Sequence, residues 1–362
     1  MQISKRGTAL PDIFSHSSFD GHEQVIFVAD AASGLRGIIG IHSTVLGPAA
    51  GGCRMYPYDS VDDALNDVLR LSRGMTMKNA AAGLPLGGGK CVVIADPSSA
   101  NKEQLLRAMA RHVQRLAGRY WTAIDVGVNA HDADIMAEEC DYIFARASEF
   151  VGDDSAAHYT ALGGFQGVRA VAQYLRGTDD LRGLRVAVQG VGQTGADLIS
   201  QLVEQGAEVV AADINESALA DVSAKFGIRT ASPETIHAQD VDIFAPCAMG
   251  AVLNDQTIPE LNCSGIAGLA NNQLERPDHG RLLMERNIAY APDFLVNAGG
   301  MMRAGMPIFS TPDKNEALRN IAGLFDTIGD VLRESREQNL PTETVAERIA
   351  LERIRQATQN QE

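Results

Sequence analysis

Residues Leu184 to Gly195 read LRVAVQGVGQTG, an apolar strand that runs directly into a glycine-rich turn. The turn matches the pattern GxGxxG, and the residues after it, up to Gln205, have the apolar spacing of a helix. Gly190 permits a tight turn, Gly192 lets the backbone approach a pyrophosphate, and the last glycine allows close helix packing. Because a helix N-terminus stabilises an anion, this stretch predicts the first strand, turn and helix of a dinucleotide-binding domain.

An acidic residue ends the next predicted strand. Val209 to Asp213 reads VVAAD, and Asp213 lies 23 residues after Gly190, close to the spacing of a carboxylate that binds the adenosine ribose. Such a carboxylate accepts from both ribose hydroxyls and repels a 2′-phosphate, so the pattern favours NAD over NADP. A glycine-rich turn without a ligand is the alternative interpretation. The candidate cofactor residues of this stretch are Gly190, Val191, Gly192, Gln193, Thr194, Gly195, Asp213 and Ile214.

Strand-like and helix-like segments alternate along the whole chain. In the second half this regular alternation predicts a parallel, doubly wound sheet. A small, polar run at residues 148–158 predicts a boundary between two domains. The predicted strands cover residues 25–29, 37–44, 91–95, 120–124, 184–190, 209–214, 241–246, 265–270 and 288–292, and the predicted helices 60–75, 105–117, 162–175 and most of 315–356.

The composition excludes several classes of protein. A net charge of −15, from 31 basic and 46 acidic residues, argues against a nucleic-acid partner. Five scattered cysteines without a CxxC pair fit reduced thiols in a cytoplasm. No apolar run is long enough to span a membrane, and residues 1–12 lack an apolar signal core. Without ligands at metal-binding spacing, no metal site is predicted.

Two lysines and one aspartate lie in unusual surroundings. Lys90 follows three glycines and precedes the apolar run CVVI, so its amine is predicted to be buried. Burial disfavours the charged form of an amine, and a buried lysine can therefore act as a base near neutral pH. Lys78 follows Met75-Thr76-Met77, and Asp125 stands at the end of the strand 120–124. Ends of strands are where α/β sheets place ligands.

Each of these residues also has a purely structural interpretation. Lys78 could complement a helix dipole, Lys90 could extend its amine to the surface, and Asp125 could cap the following helix. The three glycines before Lys90 favour close approach of the backbone to a ligand. Asp132 is better placed than Asp125 to cap a helix.

Several further motifs occur in a fixed order along the chain. They are LGPAAGGCRM (46–55), RGMTMK (73–78), GGGK (87–90), DVG (125–127), VQGVG (188–192), APCA (245–248), ANNQL (270–274), YAPD (290–293) and NAGG (297–300). In these motifs, from residue 21 to residue 355, the chain resembles the glutamate/leucine/phenylalanine/valine dehydrogenase superfamily. It looks most like the leucine, valine and phenylalanine branch.

The resemblance implies a fold and an activity. The fold is α/β, with a substrate-binding and oligomerisation domain at 1–150, a Rossmann NAD-binding domain at 151–334, a helix at about 335–362 that packs back on the first domain, and an active site in the cleft between the domains. The activity is the NAD-dependent oxidative deamination of a hydrophobic L-amino acid, reversible as reductive amination. The assembly is a cytoplasmic homo-oligomer, a dimer or an octamer.

The resemblance also implies a role for individual residues. Lys78 would hold the substrate carboxylate, Lys90 would be the general base that activates water, and Asp125 would move a proton to and from the amine. The residues lining the substrate site would include Gly51, Met75 and Asn272. Those near the nicotinamide or its ribose would be Cys247, Ala248, Asn271, Asn297 and Thr160.

The side-chain pocket is predicted to be apolar. Glutamate enzymes of the superfamily carry a lysine where this chain has Ala50, and burying a second carboxylate without a cation is costly. The pocket positions are Ala50, Ala123, Met301 and Ala304. Small alanines admit a bulky side chain, so leucine, valine, isoleucine and phenylalanine all remain candidates.

Two departures from the superfamily pattern keep other functions open. The segment 153–159 lacks the usual Asn-Pro-Ser-Pro pattern, and Arg303 stands where relatives have Asn or Gln. The alternatives are a catalytically silent NAD-binding regulator and a dehydrogenase of an unusual amine or imine. Intact Lys78, Lys90 and Asp125 argue against the regulator.

Overall fold

The computed structural model describes residues 13–150 and 155–360. The predicted lack of a signal core in residues 1–12 lies outside these ranges, as do residues 151–154 of the predicted boundary segment. The described residues form two compact units, each with its own sheet. The predicted α/β class with two domains is confirmed.

The first unit comprises residues 13–79 and 85–149 and is built on one mixed sheet. Helix α1 begins after Ser60, whose hydroxyl accepts from the Asp63 N–H and donates to the Asp63 carboxylate. The elements are β1 (Gln24–Asp30), β2 (Leu35–Ser43), β3 (Ala49–Ala50), β4 (Cys53–Tyr56), α1 (Val61–Ala81), β5 (Gly87–Ile94), α2 (Lys102–Gln114), β6 (Tyr120–Trp121) and α3 (Ala130–Ala137).

Strand β5 is the centre of this sheet. The order is β1-β2-β5-β3-β6, and β4 also pairs with β5. Strands β1 and β5 are antiparallel to β2, whereas β3 and β4 run parallel to β5. Ile38 belongs to a cluster with residues of α1, and its neighbour Ile39 to a cluster with residues of α2. The alternation along β2 therefore places the sheet between the two helices.

The second unit comprises residues 80–84, 150 and 155–360. Its described sheet is entirely parallel, in the order β12-β11-β10-β7-β8-β9. The elements are α4 (Ala156–Arg176), β7 (Arg185–Gln189), α5 (Gln193–Glu204), β8 (Glu208–Ala212), α6 (Glu216–Phe226), β9 (Arg229–Thr230), β10 (Ile243–Pro246), α7 (Thr257–Glu260), β11 (Gly265–Ile266), α8 (Asp278–Glu285), β12 (Ala289–Tyr290), α9 (Asp293–Val296), α10 (Gly299–Ala304), α11 (Met306–Phe309), α12 (Lys314–Ala322), α13 (Leu324–Gln338) and α14 (Thr342–Gln359).

The strand order confirms the doubly wound prediction. From β7 the chain adds β8 and β9 on one side, then returns to place β10, β11 and β12 on the other. The order reverses between β7 and β10, which is the topological switch point where such sheets bind ligands. The glycine-rich turn that follows β7 lies at this point.

The start of helix α4 differs from the sequence-based expectation. Helix α4 begins at Ala156 instead of residue 162, because the Ser155 side chain accepts from the backbone N–H of His158 and caps the first turn. The C-terminal helical region breaks as predicted at Asn339, which adopts a left-handed conformation. Arg353 on α14 donates to the carbonyls of Ala80 and Ala81. Packing of this helix on the first domain stays a prediction.

None of the helices in the described ranges is long and apolar enough to cross a membrane.

Candidate active site

The first unit brings Lys90 and Asp125 into contact. Lys90 Nζ lies 2.9 Å from Asp125 Oδ2, and the two side chains are only 7% and 21% exposed. Lys90 is held in the middle of the buried strand β5, opposite Gly40 of β2. Asp125 follows β6 in a tight turn in which Val128 N–H donates to the Asp125 carbonyl. A mostly buried amine and carboxylate at this distance can exchange a proton.

A second cation contacts the same carboxylate oxygen. Arg54 Nε donates to Asp125 Oδ2 at 2.8 Å. Burial alone would raise the pKa of Asp125, but the charges of Lys90 and Arg54 outweigh it and hold that pKa below its ordinary value. Asp125 is therefore an ionised carboxylate at neutral pH.

Arg54 is held in turn by a second carboxylate. Its Nη1 donates to Asp67 Oδ2 on α1 at 2.9 Å, and the Tyr58 hydroxyl donates to the same oxygen at 2.6 Å. Burial and this hydrogen bond raise the pKa of Tyr58 well above its ordinary value. The sequence analysis assigned no role to these three residues. The signal that could have indicated Arg54 is its position as a charged residue between Cys53 and Met55, two apolar residues that are buried in β4.

Asp125 does not cap the helix that follows it. Helix α3 is capped by Asn129, whose side chain accepts from the backbone N–H groups of His131 and Asp132. Asp132 returns a bond to the Asn129 N–H and completes a capping box. Asp132 therefore lies at the helix N-terminus, as predicted, although the capping residue is Asn129.

The glycines around Lys90 serve protein packing. A Cβ at Gly88 would overlap the backbone of Thr76 on α1, and one at Gly89 would meet the Tyr120 ring at 2.6 Å. Protein atoms fill the space that a side chain would take at Gly88 and Gly89, and close approach of a ligand to this backbone stays a prediction. Gly88 allows α1 to approach β5 closely, and Gly89 makes room for the Tyr120 ring of β6. The strand begins at Gly87, earlier than predicted.

The other predicted substrate residues of this unit surround the same strand. A Cβ at Gly51 would overlap the Gly89 carbonyl and lie 2.9 Å from Met75 Cγ. Lys78 is half-buried in the last turn of α1, where a cation also complements the helix dipole. Ala50 and Ala123 are buried. Gly51, Met75 and the strand that carries Lys90 are thus brought together.

The second unit forms the predicted dinucleotide turn. Gly190 has φ +98°, and a Cβ there would lie 2.8 Å from the Ala248 side chain. Gly192 precedes α5, whose first turn has no side-chain cap, and a Cβ at Gly192 would meet no atom within 4 Å. The helix that begins at Gln193 thus has no capping side chain and open space beside Gly192, which suits a phosphate.

Asp213 is joined to this turn. Its Oδ2 accepts from the Val191 N–H at 2.7 Å, and its Oδ1 accepts from the Asn215 N–H at 2.8 Å. The carboxylate is partly exposed, and Ile214 beside it is 91% exposed. An exposed apolar side chain next to a carboxylate is the pairing that an adenosine would contact.

Other predicted cofactor residues cluster at the ends of the parallel strands. Cys247 N–H donates to the Gln189 carbonyl, and Ala248 adjoins Gly190. Asn297 Nδ2 donates to Asn271 Oδ1 at 2.9 Å. These pairs lie after β7, β10 and β11, the edge at which a doubly wound sheet binds nucleotides.

The remaining predicted residues of this unit flank that edge. Asn272 adopts a left-handed conformation, and its carbonyl accepts from Ala251. Thr160 donates to the Ala156 carbonyl within α4 and adjoins Gly300. On α10, Met301 is half-buried and Ala304 buried. Buried Arg303 stacks over the rings of Phe150 and Tyr159.

One cluster in the described residues has the spacing of metal ligands. Asp255, Glu275 and His279 each offer an atom within 4.8 Å of the others. Arg276 already donates two hydrogen bonds to Asp255, at 2.8 and 3.0 Å. An arginine therefore supplies the positive charge that this cluster needs.

The comparisons with known proteins agree with this geometry. Residues 22–142 match the family described as Glu/Leu/Phe/Val dehydrogenase, dimerisation domain, and residues 152–224 and 213–362 match Glutamate/Leucine/Phenylalanine/Valine dehydrogenase. The chain belongs to this dehydrogenase family. The predicted family and its enzyme class, dehydrogenases that act on the CH–NH₂ group of an amino acid, are confirmed. Enzymes of this family use a pyridine nucleotide.

Individual relatives cover almost the whole chain. Leucine dehydrogenase of Geobacillus stearothermophilus is 44% identical over 343 residues, 95% of this chain and 93% of that protein. Phenylalanine dehydrogenase of Thermoactinomyces intermedius is 42% identical, covering 96% of this chain and 95% of that protein. The crystal structure of L-tryptophan dehydrogenase from Nostoc punctiforme is similar at a TM-score of 0.84 and 38% identity, over 94% of this chain and 97% of that one.

Proposed function

We propose that this protein catalyses the NAD-dependent oxidative deamination of a hydrophobic L-amino acid. The observation that carries the proposal is the buried ion pair between Lys90 and Asp125, 2.9 Å apart, in a family of amino-acid dehydrogenases. The reaction converts the amino acid, water and NAD⁺ to the 2-oxo acid, ammonia, NADH and a proton. NAD, when bound, accepts the hydride of the substrate α-carbon.

The residues of the first unit take the proton-transfer roles. Lys90 removes a proton from the water that adds to the imino carbon, and Asp125 exchanges a proton with the substrate nitrogen as ammonia leaves. Lys78 binds the substrate carboxylate from the last turn of α1. A zwitterionic substrate needs one cation, one anion and one base, and these three side chains supply one of each.

The residues of the second unit bind the nucleotide. The uncapped first turn of α5 holds the pyrophosphate, and Asp213 accepts hydrogen bonds from the adenosine ribose. Ala248, Asn271 and Asn297 bind the nicotinamide half at the ends of the strands. NAD is the form we propose, because a 2′-phosphate beside Asp213 would meet a carboxylate.

The substrate side chain is hydrophobic in this proposal. Ala50 and Ala123 are buried and uncharged, so neither position offers a cation to a side-chain carboxylate. Relatives named for leucine, valine and phenylalanine are similarly close in sequence, at 44%, 43% and 42% identity. The substrate panel should therefore include both branched-chain and aromatic amino acids.

The direct test is NADH absorbance with a panel of L-amino acids at alkaline pH. We expect activity with leucine, valine, isoleucine, phenylalanine or tryptophan, and at most trace activity with glutamate. Activity on none of the panel, together with retained NAD binding, would favour a silent regulator. Activity restricted to simple amines or imines would favour the other alternative.

A homo-oligomer, a dimer or an octamer, is the assembly we propose. Within the described residues β1 is an edge strand that pairs only with β2, and Phe27 on it is 58% exposed. An exposed, apolar edge strand is a site for pairing with another chain. It lies in the part of the chain that matches a dimerisation domain.

Light scattering should therefore give a mass of two or eight times 38.6 kDa at micromolar concentration. Phe27→Asp should lower that mass, because a charge in the middle of β1 disfavours strand pairing. Phe14→Asp, at a position 76% exposed in the same unit, is the matched control and should leave the mass unchanged. A wild-type monomer would refute the assembly.

The cytoplasm is the compartment we propose. This proposal rests on the five cysteines, which are scattered along the chain and form no disulfide in the structure. Three of them, Cys53, Cys91 and Cys140, are buried.

A further inference from the structure

A second carboxylate and a tyrosine extend the contact between Lys90 and Asp125 into a chain of charged groups. Along this chain Lys90 and Arg54 carry the positive charges, and Asp125 and Asp67 the negative ones, at separations of 2.8 to 2.9 Å. All four groups belong to the first unit. Before Lys90 accepts a proton as a base its amine is neutral, and Arg54 is then the cation beside Asp125.

The two oxygens of Asp125 have different surroundings. Both cations bind Oδ2, whereas Oδ1 makes no hydrogen bond to any residue in 13–150 or 155–360. The side chain keeps 21% exposure. Oδ1 is therefore the oxygen that can meet a substrate amine, and it does so only while Oδ2 is held in place.

The guanidinium of Arg54 is fixed at both ends. Nε holds Asp125, and Nη1 holds Asp67, which α1 and the Tyr58 hydroxyl position. The backbone of β4 adds to this, because Cys53 N–H donates to the Ala123 carbonyl and Met55 N–H to the Val126 carbonyl, on either side of Asp125. A planar guanidinium can bridge two carboxylates in a fixed geometry, and a lysine cannot.

We infer that Arg54 is a positioning residue that keeps Asp125 ionised and turned toward the substrate throughout the reaction. Its charge also keeps a cation at Asp125 Oδ2 when Lys90 is neutral. The inference rests on the proposed function for the roles of Lys90 and Asp125. Asp67 and Tyr58 act behind Arg54 by holding its far end.

The pH profile of kcat/KM tests the electrostatic part. In Arg54→Gln the rising limb of the profile should move to higher pH by about one unit, because a cation next to the acid–base pair is lost. Arg54→Lys keeps the charge without the bridge, so its limb should stay near that of the wild type while kcat falls. Arg107→Gln is the control and should change neither, because it removes a similarly half-buried arginine that pairs with Glu103, Glu138 and Glu139 instead of with Asp125.

Thermal unfolding supplies a readout that does not need activity. Arg54→Gln should lower Tm at pH 7. In an Asp125→Asn background the same substitution should lower Tm by no more than about half as much, because contacting groups are energetically coupled. Additive effects on Tm, or a rising limb that does not move in Arg54→Gln, would overturn the inference. If the wild type were inactive on every amino acid, the proposed function would fail, and the Tm cycle would still decide whether Arg54 acts on Asp125.

Discussion

Replacing Lys90 by alanine should lower turnover by about 10²–10⁴-fold, the range of a general base. NAD binding should be nearly unchanged, because the glycine-rich turn and Asp213 belong to the second unit. The variant leaves Asp125 paired with Arg54, so the carboxylate keeps a cation and the fold should persist. Turnover is measured by NADH absorbance, and binding by NADH fluorescence.

Lys102 is the matched control for this change. It belongs to the same unit, and its Nζ makes a similar contact with a different carboxylate, Asp132, at 2.7 Å. Lys102→Ala should keep turnover within a few-fold of the wild type. Asp125→Asn should behave like Lys90→Ala, since the amide keeps the shape but takes no proton. A Lys90→Ala enzyme with more than about a tenth of the wild-type rate would contradict the assignment.

The second large effect concerns the choice of nucleotide. The wild type should strongly prefer NAD, and Asp213→Asn should narrow the gap in kcat/KM between NAD and NADP by at least about tenfold. A carboxylate next to a 2′-phosphate is a like-charge contact worth several kcal/mol. The KM for NAD should rise as well, because the carboxylate that binds the ribose is lost.

Asparagine is the informative replacement because Asp213 also supports the turn. Its two oxygens accept from the Val191 and Asn215 N–H groups, and an amide oxygen retains one of these bonds. Asp213→Ala should also narrow the gap, with an additional loss of stability. Glu216→Ala, the exposed neighbour at the start of α6, is the control and should have a smaller effect. Comparable kcat/KM for the two cofactors in the wild type would overturn the role of Asp213.

Much of the fold and of the nucleotide site could be predicted from local sequence patterns. The glycine turn, the carboxylate after β8 and the alternation of strands and helices are all short-range signals, and they placed Gly190, Gly192 and Asp213 at the switch point of a parallel sheet. The three glycines before Lys90 were interpreted as a place where a ligand approaches the backbone, and the predicted strand began only at residue 91. Their place inside β5 depends on the approach of Thr76 and Tyr120, residues far along the chain.

The bridge from Asp67 through Arg54 to Asp125 could not be predicted from sequence patterns. Arg54 lies 13 residues from one partner and 71 from the other. Nothing in the spacing of single charged residues indicates that β4, α1 and the turn after β6 meet. Such a contact follows only from the complete sheet.

The most direct measurement of the central claim is the fate of the hydrogen on the substrate α-carbon. The best amino acid of the panel, deuterated at that carbon, is incubated with NAD and the enzyme, and the reduced cofactor is analysed by mass spectrometry. We predict one deuterium in each NADH formed, with equimolar 2-oxo acid and ammonia. NADH without deuterium, or no 2-oxo acid beside it, would contradict oxidative deamination by hydride transfer.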